Sequence, residues 1–363
     1  MIICIAVSTL MENDAIGNDV CHQWRVLNRH QIPVVIFTEE FAVNAMRPHI
    51  IDKKKFLEMI TNRDTTLIYH HGGNWTAGRE ILEKARCQLF IKYHNVTPPE
   101  FFTPYNQRYE TYCSQGLEQT RYIAGLTKVT RFLCDSAFNG HCLSLVDADI
   151  SKIETLPPFH KLDDFKPAGI DPLLAHELLD GKINVLFVGR LVPNKGHHHL
   201  IKVIARYVER YDTDIRLNIV GGMDGDLKIY ADELESLIKT NHLEENIHIT
   251  GPVSFDALHT YYEYSHVFLL MSAHEGFCLP VLEAQSHGLP VIALDRCAVS
   301  ETLGPNQVVF SNSDYQTFAS AIHVLFHNDA YRQYLAQQGE KNIMRFSNQN
   351  IEKAFFNALG INP

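Results

Sequence analysis

Short apolar runs alternate with longer amphipathic segments along this chain. In the first half, the candidate strands are residues 2–7, 34–37, 66–70, 89–94 and 131–135. Amphipathic segments between them, at residues 18–30, 75–85 and 106–125, have the period of helices. Strands that are apolar along their whole length are typical of a parallel sheet covered by helices on both faces. The first half therefore predicts a doubly wound α/β domain.

The same rhythm restarts after a polar, proline-bearing stretch at residues 156–172, which is interpreted as a linker. The second set of candidate strands is 183–189, 215–222, 246–251, 266–272 and 290–294. A chain of 363 residues exceeds the size at which single cores usually stop growing. We expect two doubly wound Rossmann-like domains, 1–163 and 164–346, and a terminal helix, 347–363, that crosses back to the first. The carboxyl ends of both sets of strands are expected to line an interdomain cleft.

Composition narrows the classes of partner. A formal net charge of -10 argues against nonspecific binding of nucleic acid, which needs clustered cations. Eight cysteines without a C-x-x-C pair indicate a reducing cytoplasm, and no apolar run reaches the length of a membrane span. The basic cluster at 47–56 leaves open a weak peripheral association with the inner face of the membrane.

The loop after the first strand of the second half carries two cations. In "FVGRLVPNKG", Arg190 and Lys195 precede a helix that begins near His197. Free amides at a helix N-terminus, together with two cations, favour a pyrophosphate. The alternative is a solvated loop with ordinary surface cations. The run "HHH" at 197–199 is interpreted as mostly a solvated face and not a metal site.

The stretch "HEGFCLPVLEAQ" places two glutamates, Glu275 and Glu283, eight positions apart. Pro280 suits the first position of a helix. The preceding amides would then form a second anion-binding feature; they belong to Gly276, Phe277, Cys278 and Leu279. A nucleotide-sugar has hydroxyls on both sides of its phosphates. Carboxylates on both sides of a phosphate-binding turn therefore suggest such a ligand. The alternative is a helix start that carries acidic residues for its dipole.

Four stretches carry a family resemblance: "FVGRLVPNKG", "IVGG", "ITGPV" and "SAHEGFCLPVLEAQSHGLPVIA". In this order they resemble the donor half of retaining family 4 glycosyltransferases of the GT-B fold, whose E-x7-E motif matches Glu275 and Glu283. The resemblance implies that Glu275 contacts the transferred sugar and Glu283 the ribose. It also implies further donor-binding residues: Arg190 and Lys195 at the diphosphate, Gly221 and Gly222, Gly251 and Val253 beside the base, and the 276–279 turn. Cys278 stands where many relatives have glycine.

The first half resembles this family less specifically. "YHNVTPPEFF" is similar to bacterial polysaccharide-assembly members, and it puts His94 in the place of the active-site histidine beside the donor sugar. His70 and His71 end the preceding strand and are expected to reach the same cleft. Gly17 is expected to let the chain approach the donor closely, with Asn18 or Asp19 capping the next helix.

The resemblance implies a retaining transferase that moves a hexose from UDP-glucose or a related UDP-hexose to a saccharide or lipid-linked saccharide in polysaccharide assembly. A GDP-mannose-type donor, a non-catalytic partner subunit, an epimerase and a phosphorylase remain alternatives. His94, Glu275, Arg190 and Lys195 are the expected catalytic residues, and no cofactor or metal is expected. D-x-D strings at 147–149, 212–214 and 224–226 resemble the metal-binding motif of the other large glycosyltransferase fold. Their repetition shows how readily the pattern arises in an acidic chain.

Overall fold

The computed structural model describes residues 2–11, 14–165 and 168–362. The chain divides into two compact units, which are described separately. The first comprises Met1–Glu100, Arg108–Lys161 and Phe346–Pro363, and the second comprises Phe101–Gln107 and Leu162–Arg345. Six residues lie outside the described part. They are the first and last residues of the predicted segments, Met1 and Pro363, two residues near the start of the chain, Glu12 and Asn13, and two residues of the predicted linker, Lys166 and Pro167.

The chain up to residue 161 forms a six-stranded, fully parallel sheet in the order β3-β1-β5-β6-β7-β8, and a separate parallel pair, β2-β4. The strands are β1 (Ile2–Ala6), β2 (Thr9–Leu10), β3 (Val34–Phe37), β4 (Glu40–Phe41), β5 (Thr65–His71), β6 (Gln88–Tyr93), β7 (Val129–Cys134) and β8 (Ile153–Thr155). The helices are α1 (Ala15–Arg29), α2 (Lys53–Ile60), α3 (Thr76–Lys84), α4 (Gln107–Ala124) and α5 (Ala137–Ser144).

From residue 162 the chain forms a second parallel sheet in the order β11-β10-β9-β12-β13-β14. Its strands are β9 (Ile183–Val188), β10 (Ile215–Val220), β11 (Ile247–Gly251), β12 (Val267–Leu270), β13 (Val291–Leu294) and β14 (Val308–Phe310). The helices are α6 (Pro172–Leu178), α7 (His197–Arg210), α8 (Lys228–Thr240), α9 (Phe255–Tyr264), α10 (Leu279–Ser286), α11 (Val299–Leu303), α12 (Tyr315–Phe326), α13 (Asp329–Ile343) and α14 (Asn348–Leu359). The prediction of two doubly wound Rossmann-like domains is confirmed.

Both faces of the first sheet are buried, which explains the unbroken apolar strands. In β1, Cys4 and Ala6 pack into one core cluster, whereas Ile3 and Ile5 pack into another. Successive side chains of a strand point to opposite faces, so the two clusters lie on opposite sides of the sheet. A strand buried on both faces has no position where a polar residue is favoured, and the sequence shows this as a continuous run.

The basic cluster at 47–56 contributes to α2. Asp52 caps this helix by accepting a hydrogen bond from the backbone N–H of Lys55 at 3.0 Å. Lys53 Nζ lies 2.6 Å from Glu80 Oε2, so one of the three lysines is engaged within the protein. Among the described residues, no helix combines the length and the apolar character that crossing a bilayer requires.

Helix α14 packs in the first unit. Its apolar face, Ile351, Phe355, Phe356, Ala358 and Leu359, belongs to the same core cluster as Ile3 and Ile5. Glu352 pairs with Arg29 and with His30 of α1. Asn348 Nδ2 donates to the carbonyl of His160 at 3.0 Å, which ties the start of the helix to the first unit as well.

We expect Phe355→Ala to lower the free energy of unfolding of the first unit by about 3–5 kcal/mol, because Phe355 is fully buried and its removal leaves a cavity. Urea unfolding monitored by circular dichroism measures this loss. Lys353→Ala is the matched control, since Lys353 is exposed on the same helix and should change stability by less than about 0.5 kcal/mol. Equal losses in both variants would contradict the packing role of α14.

Candidate active site

In the second sheet β9 and β12 are neighbours; β10 and β11 lie on the side of β9, whereas β13 and β14 lie on the side of β12, so the strand order reverses between β9 and β12. Ligands of open α/β sheets bind at such reversals, beside the carboxyl ends of the strands. The loop after β9 carries Arg190 and Lys195, and the loop after β12 carries Glu275. Gly196 makes their approach feasible: its φ is 70°, and a Cβ there would lie 2.2 Å from the carbonyl oxygen of Met271. The reversal is therefore the candidate donor site.

An ion pair joins the two loops. Lys195 Nζ donates to Glu275 Oε1 at 2.7 Å and to Oε2 at 2.8 Å. Glu275 is 5% exposed, and the side chain of Lys195 is 20% exposed. Asn194 fixes the loops further, since its carbonyl accepts from Ala273 N at 2.8 Å and its Nδ2 donates to the carbonyl of His274 at 3.2 Å. Two residues 80 positions apart in sequence thus form one charged unit.

The turn after Glu275 leads into α10, whose cap is Cys278. Pro280 is the second helical residue, so the prediction that it takes the first position is wrong by one residue. Cys278 adopts φ 76°, a left-handed conformation that favours glycine. The turn therefore has a backbone suited to glycine although Cys278 carries a side chain. Burial, followed by the nearby Glu275, raises the pKa of the Cys278 thiol well above its ordinary value, which makes it a poor nucleophile.

Glu283 lies in α10 and contacts the neighbouring helix. Tyr262 OH donates to Glu283 Oε2 at 2.7 Å. Burial raises the pKa of the Glu283 carboxyl, and the hydrogen bond from Tyr262 opposes that shift. Tyr262 carries no signal in the sequence motifs, because its role depends on the packing of α9 against β12 and α10. It is a site residue that sequence reasoning missed.

The other predicted donor residues occupy the ends of neighbouring strands. Arg190 is exposed after β9, and Gly221 and Gly222 follow β10. A Cβ on Gly221 would lie 2.1 Å from the carbonyl oxygen of Gly189, so this glycine allows two strand ends to approach. Gly251 ends β11 with φ 71°, and Val253 follows in the next loop.

The histidines at 197–199 differ from the prediction of a solvated face. His197 is fully buried, and its Nδ1 lies 3.0 Å from Tyr230 OH. Burial, with a contribution from Lys195, lowers the pKa of His197 to about 3, so the ring is neutral. His199 Nδ1 lies 2.8 Å from Tyr315 OH, and His198 is partly buried. The prediction failed because the first turn of α7 enters the core directly after the Gly196 turn.

In the first unit, His94 follows β6 and lies in a buried network. Its Nδ1 contacts Asp135 Oδ2 at 2.8 Å, and its Nε2 contacts His70 Nδ1 at 2.8 Å. His70 Nε2 contacts Gln23 Oε1 at 3.2 Å. Both ring nitrogens of His94 therefore have partners. His71 points to the opposite face, where its Nε2 contacts Thr120 Oγ1 at 2.8 Å, and does not join the network.

Lys92 provides the central charge of this network. Its ammonium is fully buried, contacts Asp135 Oδ1 and the carbonyl of Leu156, and lies 4.0 Å from Asp19 Oδ2. Burial alone would raise the pKa of Asp135, but His94 and Lys92 hold it below the ordinary value. Burial raises the pKa of Asp19. Sequence reasoning missed these groups because Lys92 occurs inside an apolar strand without visible partners.

The start of α1 differs from the predicted cap, while Gly17 packs against the preceding loop. Asp14 caps α1 by accepting from Gly17 N at 3.0 Å, so the expected caps, Asn18 and Asp19, lie inside the helix. A Cβ on Gly17 would lie 2.4 Å from the carbonyl oxygen of Met11, which gives this glycine a packing role. Asp19 Oδ1 instead accepts from the backbone N–H of Phe159 at 2.9 Å.

Each D-x-D string contains an aspartate that stabilises a local turn. Asp212 Oδ1 accepts from Asp214 N at 3.1 Å, and Asp224 Oδ1 accepts from Asp226 N at 3.0 Å. In the string at 147–149, Asp149 Oδ1 accepts from Ser151 N at 3.1 Å. Aspartates commonly make such bonds to the backbone two residues ahead.

We expect Lys92→Met to lower the free energy of unfolding by about 3–5 kcal/mol, because it leaves buried carboxylates without their counter-charge. Chemical denaturation checks this value. Lys152→Met is the control, since the half-buried Lys152 donates to the carbonyl of Thr127 near the surface and its replacement should cost less than about 1 kcal/mol. A loss in Lys92→Met no larger than in the control would refute the central position of this charge.

Comparison with known proteins is consistent with the geometry of the second unit. Residues 175–342 match the model of the family described as glycosyl transferases group 1. D-inositol 3-phosphate glycosyltransferase of Corynebacterium urealyticum is 33% identical over 172 residues, which cover 46% of this chain and 40% of that protein. The capsular polysaccharide biosynthesis glycosyltransferase CapM of Staphylococcus aureus is 27% identical over 179 residues, which cover 48% of this chain and 45% of that protein. The matches thus span less than half the length of these relatives.

The whole fold resembles solved structures. HepE of Anabaena, solved in complex with UDP, superposes with a TM-score of 0.75 over 99% of this chain and 100% of that chain, at 17% identity. That similarity concerns the fold, whereas the family model matches residues 175–342, which lie in the second unit. The predicted resemblance to family 4 glycosyltransferases is confirmed. Residues 175–342 of this chain match the glycosyl transferases group 1 family, and the fold is that of the GT-B glycosyltransferases.

Proposed function

We propose that this protein is a retaining glycosyltransferase. It moves a hexose from a nucleotide diphosphate sugar, UDP-glucose or a related UDP-hexose, to a saccharide or lipid-linked saccharide acceptor. The observation that carries the proposal is the Lys195–Glu275 ion pair at the reversal between β9 and β12. It combines a cation for a diphosphate with a carboxylate for sugar hydroxyls at the place where open α/β sheets bind ligands.

The departing diphosphate needs fixed positive charge. Lys195 and the exposed Arg190 supply two cations. Helices α7 and α10 begin at Gly196 and Cys278 without a side-chain hydrogen bond to their first turns, unlike α9, where Ser254 caps the helix. Backbone amides of uncapped helix starts bind phosphate oxygens and are stabilised by the helix dipole. Together these groups take the place of a metal ion in neutralising the leaving group.

The two glutamates hold opposite ends of the donor. Glu275, as a carboxylate, accepts hydrogen bonds from hydroxyls of the transferred sugar. Glu283 accepts from the ribose hydroxyls, while Tyr262 holds its other oxygen in place. Gly251 and Val253 lie at the end of the neighbouring β11 and contact the base through the backbone.

Transfer proceeds on one face of the sugar. The bond between the anomeric carbon and the phosphate oxygen breaks as the acceptor oxygen bonds to the anomeric carbon on the same face. The acceptor proton passes to the departing phosphate oxygen, so an α-linked donor gives an α-linked product. In this scheme no side chain forms a glycosyl-enzyme. The proposed role of His94 is to support the sugar or adjacent charge, and His70 and Asp135 orient its ring.

Relatives bear on the donor and the acceptor. The HepE structures contain UDP, UDP with glucose, or UDP-glucose, which supports a UDP-hexose donor. The name of CapM supports a role in polysaccharide assembly. The proposed location is the cytoplasm. If the acceptor is lipid-linked, the protein acts at the inner face of the membrane and the basic cluster at 47–56 contacts the anionic lipids.

We expect Glu275→Gln to lower kcat/KM for hexose transfer by at least a hundredfold, because its hydrogen bonds to the sugar strengthen in the transition state. Glu283→Gln should instead weaken binding of free UDP about tenfold. Transfer from UDP-glucose to an oligosaccharide, with product NMR, measures the first effect, and calorimetry with UDP measures the second.

Glu340→Gln is the matched control for these variants, because Glu340 is exposed on α13. It should leave both quantities within twofold of the wild-type protein. Wild-type transfer rates in Glu275→Gln, or unchanged UDP affinity in Glu283→Gln, would refute the corresponding role.

We expect full transfer activity in excess EDTA, since cations and amides of the chain neutralise the diphosphate. Arg190→Ala or Lys195→Ala should lower activity at least tenfold. Asp147→Asn combined with Asp149→Asn should have little effect, because Asp149 stabilises a local turn. Loss of activity in EDTA that manganese restores would contradict this proposal and would identify a catalytic metal.

A further inference from the structure

We propose that His259, Glu263 and His287 form a zinc-binding site on the second unit. His259 and Glu263 lie four residues apart on one face of α9, and His287 follows the last residue of α10. One ligand atom from each residue lies within 4.8 Å of the others. His259 Nε2 and Glu263 Oε1 are 3.5 Å apart, and the two imidazole centroids are 5.2 Å apart.

Backbone carbonyls orient both imidazoles for metal binding. His259 Nδ1 lies 3.0 Å from the carbonyl oxygen of Gly169, and His287 Nδ1 lies 2.7 Å from that of Glu283. A carbonyl oxygen only accepts hydrogen bonds, so each Nδ1 carries the hydrogen. In the neutral ring, each Nε2 then presents its lone pair to the same space. Metal-binding histidines are usually oriented by such a bond from the other nitrogen.

Aromatic packing fixes the ring of His287. It stacks on Tyr262 with centroids 4.9 Å apart and planes 14° apart, and the ring of Phe165 meets it edge-on at 4.9 Å. Phe165 also lies 6.1 Å from His259. The side chain of Glu263 is 45% exposed, so it is free to turn toward an ion without breaking core contacts. Two rigid ligands and one adjustable ligand therefore converge.

The chemistry of these ligands suits zinc. Two imidazole nitrogens and one carboxylate are a common three-ligand set for Zn²⁺, with water in the fourth position. Zn–N distances are about 2.0–2.1 Å, so binding requires the ligand atoms to move slightly closer. Imidazole ligands favour zinc over magnesium or calcium, which prefer oxygen.

A second cluster, Asp19, His70 and His94, also has converging ligand atoms but is unsuited to a cation. Its two histidines bond to each other at 2.8 Å, and their remaining nitrogens bond to Gln23 and Asp135. The buried ammonium of Lys92, 4.0 Å from Asp19 Oδ2, repels a metal ion. The contrast between the clusters lies in the unused Nε2 atoms of His259 and His287.

Zinc at this site would join the end of α10 to α9. The carbonyl that orients His287 belongs to Glu283, and Tyr262, which stacks on His287, donates to the Glu283 carboxylate. An ion there stabilises the helices that hold Glu283 without contacting a phosphate. The site does not depend on the proposed transfer chemistry, since its three ligands are neither Lys195, Glu275 nor Glu283.

The test uses untagged, chelator-treated full-length protein titrated with Zn²⁺ against a competing chromophoric chelator. We expect one tight equivalent in the wild-type protein and a Tm that rises with zinc. His259→Asn and His287→Asn should each weaken zinc binding at least tenfold and abolish the Tm rise. Asparagine keeps a donor near the position of Nδ1 and removes Nε2, and circular dichroism checks that the variants fold.

His248→Asn is the matched control. His248 Nδ1 lies 4.0 Å from Glu177 Oε1, so these residues also form a histidine–glutamate pair. They do not belong to a three-ligand cluster among the described residues. This variant should bind zinc as the wild-type protein does. Equal weakening in His248→Asn and His287→Asn, or unchanged affinity in both His259→Asn and His287→Asn, would overturn the proposal, because either result indicates binding by surface histidines in general.

Discussion

The parallel pairing of both six-stranded sheets is the constraint on which the rest of this structure depends. Parallel strands must be joined by crossovers, so all their carboxyl ends lie at the same edge of the sheet. The loops that follow β9 and β12 therefore meet, although 80 residues separate Lys195 from Glu275. The same constraint brings His70, the second-last residue of β5, beside His94, which directly follows β6. Topology, and not sequence proximity, assembles both groups of polar side chains.

The strands were predictable because burial on both faces leaves a direct mark on the sequence. Predicted and observed ends of β1, β3 and β12 differ by no more than two residues, as expected where an apolar run meets a polar loop. Helix α2 was missed because it has only eight residues, half of them charged, and its start depends on Asp52. The short edge strands β8 and β14 were missed because their residues are only partly buried. The family resemblance identified the motifs of the proposed donor site, since these are contiguous in sequence.

Contacts that depend on tertiary packing could not be predicted from the sequence. Lys92 is the fourth residue of an apolar strand run, and its partners Asp19 and Asp135 come from segments 73 residues before and 43 residues after it. Asn18 or Asp19 was expected to cap α1, but Asp14 takes that role and the buried side chain of Asp19 turns inward. Cys278 shows the converse case, because the resemblance predicted a position suited to glycine, and the observed φ of 76° is a left-handed conformation that favours glycine. Local backbone requirements are thus visible in a motif, whereas the partner of a buried charge is not.

The two units use buried charge differently. In the first, Lys92, Asp135 and His94 satisfy one another, and such a network has little capacity for a new ligand unless a bond is exchanged. In the second, the Glu275 carboxylate is paired with the Lys195 ammonium, Arg190 is exposed, and the helices that follow this pair in sequence, α7 and α10, start without side-chain caps. Unused hydrogen-bonding capacity at a strand edge favours a polar ligand, because the ligand replaces water with directed bonds. A closed network instead fixes the positions of its own members, and for that reason the donor site proposed above lies in the second unit.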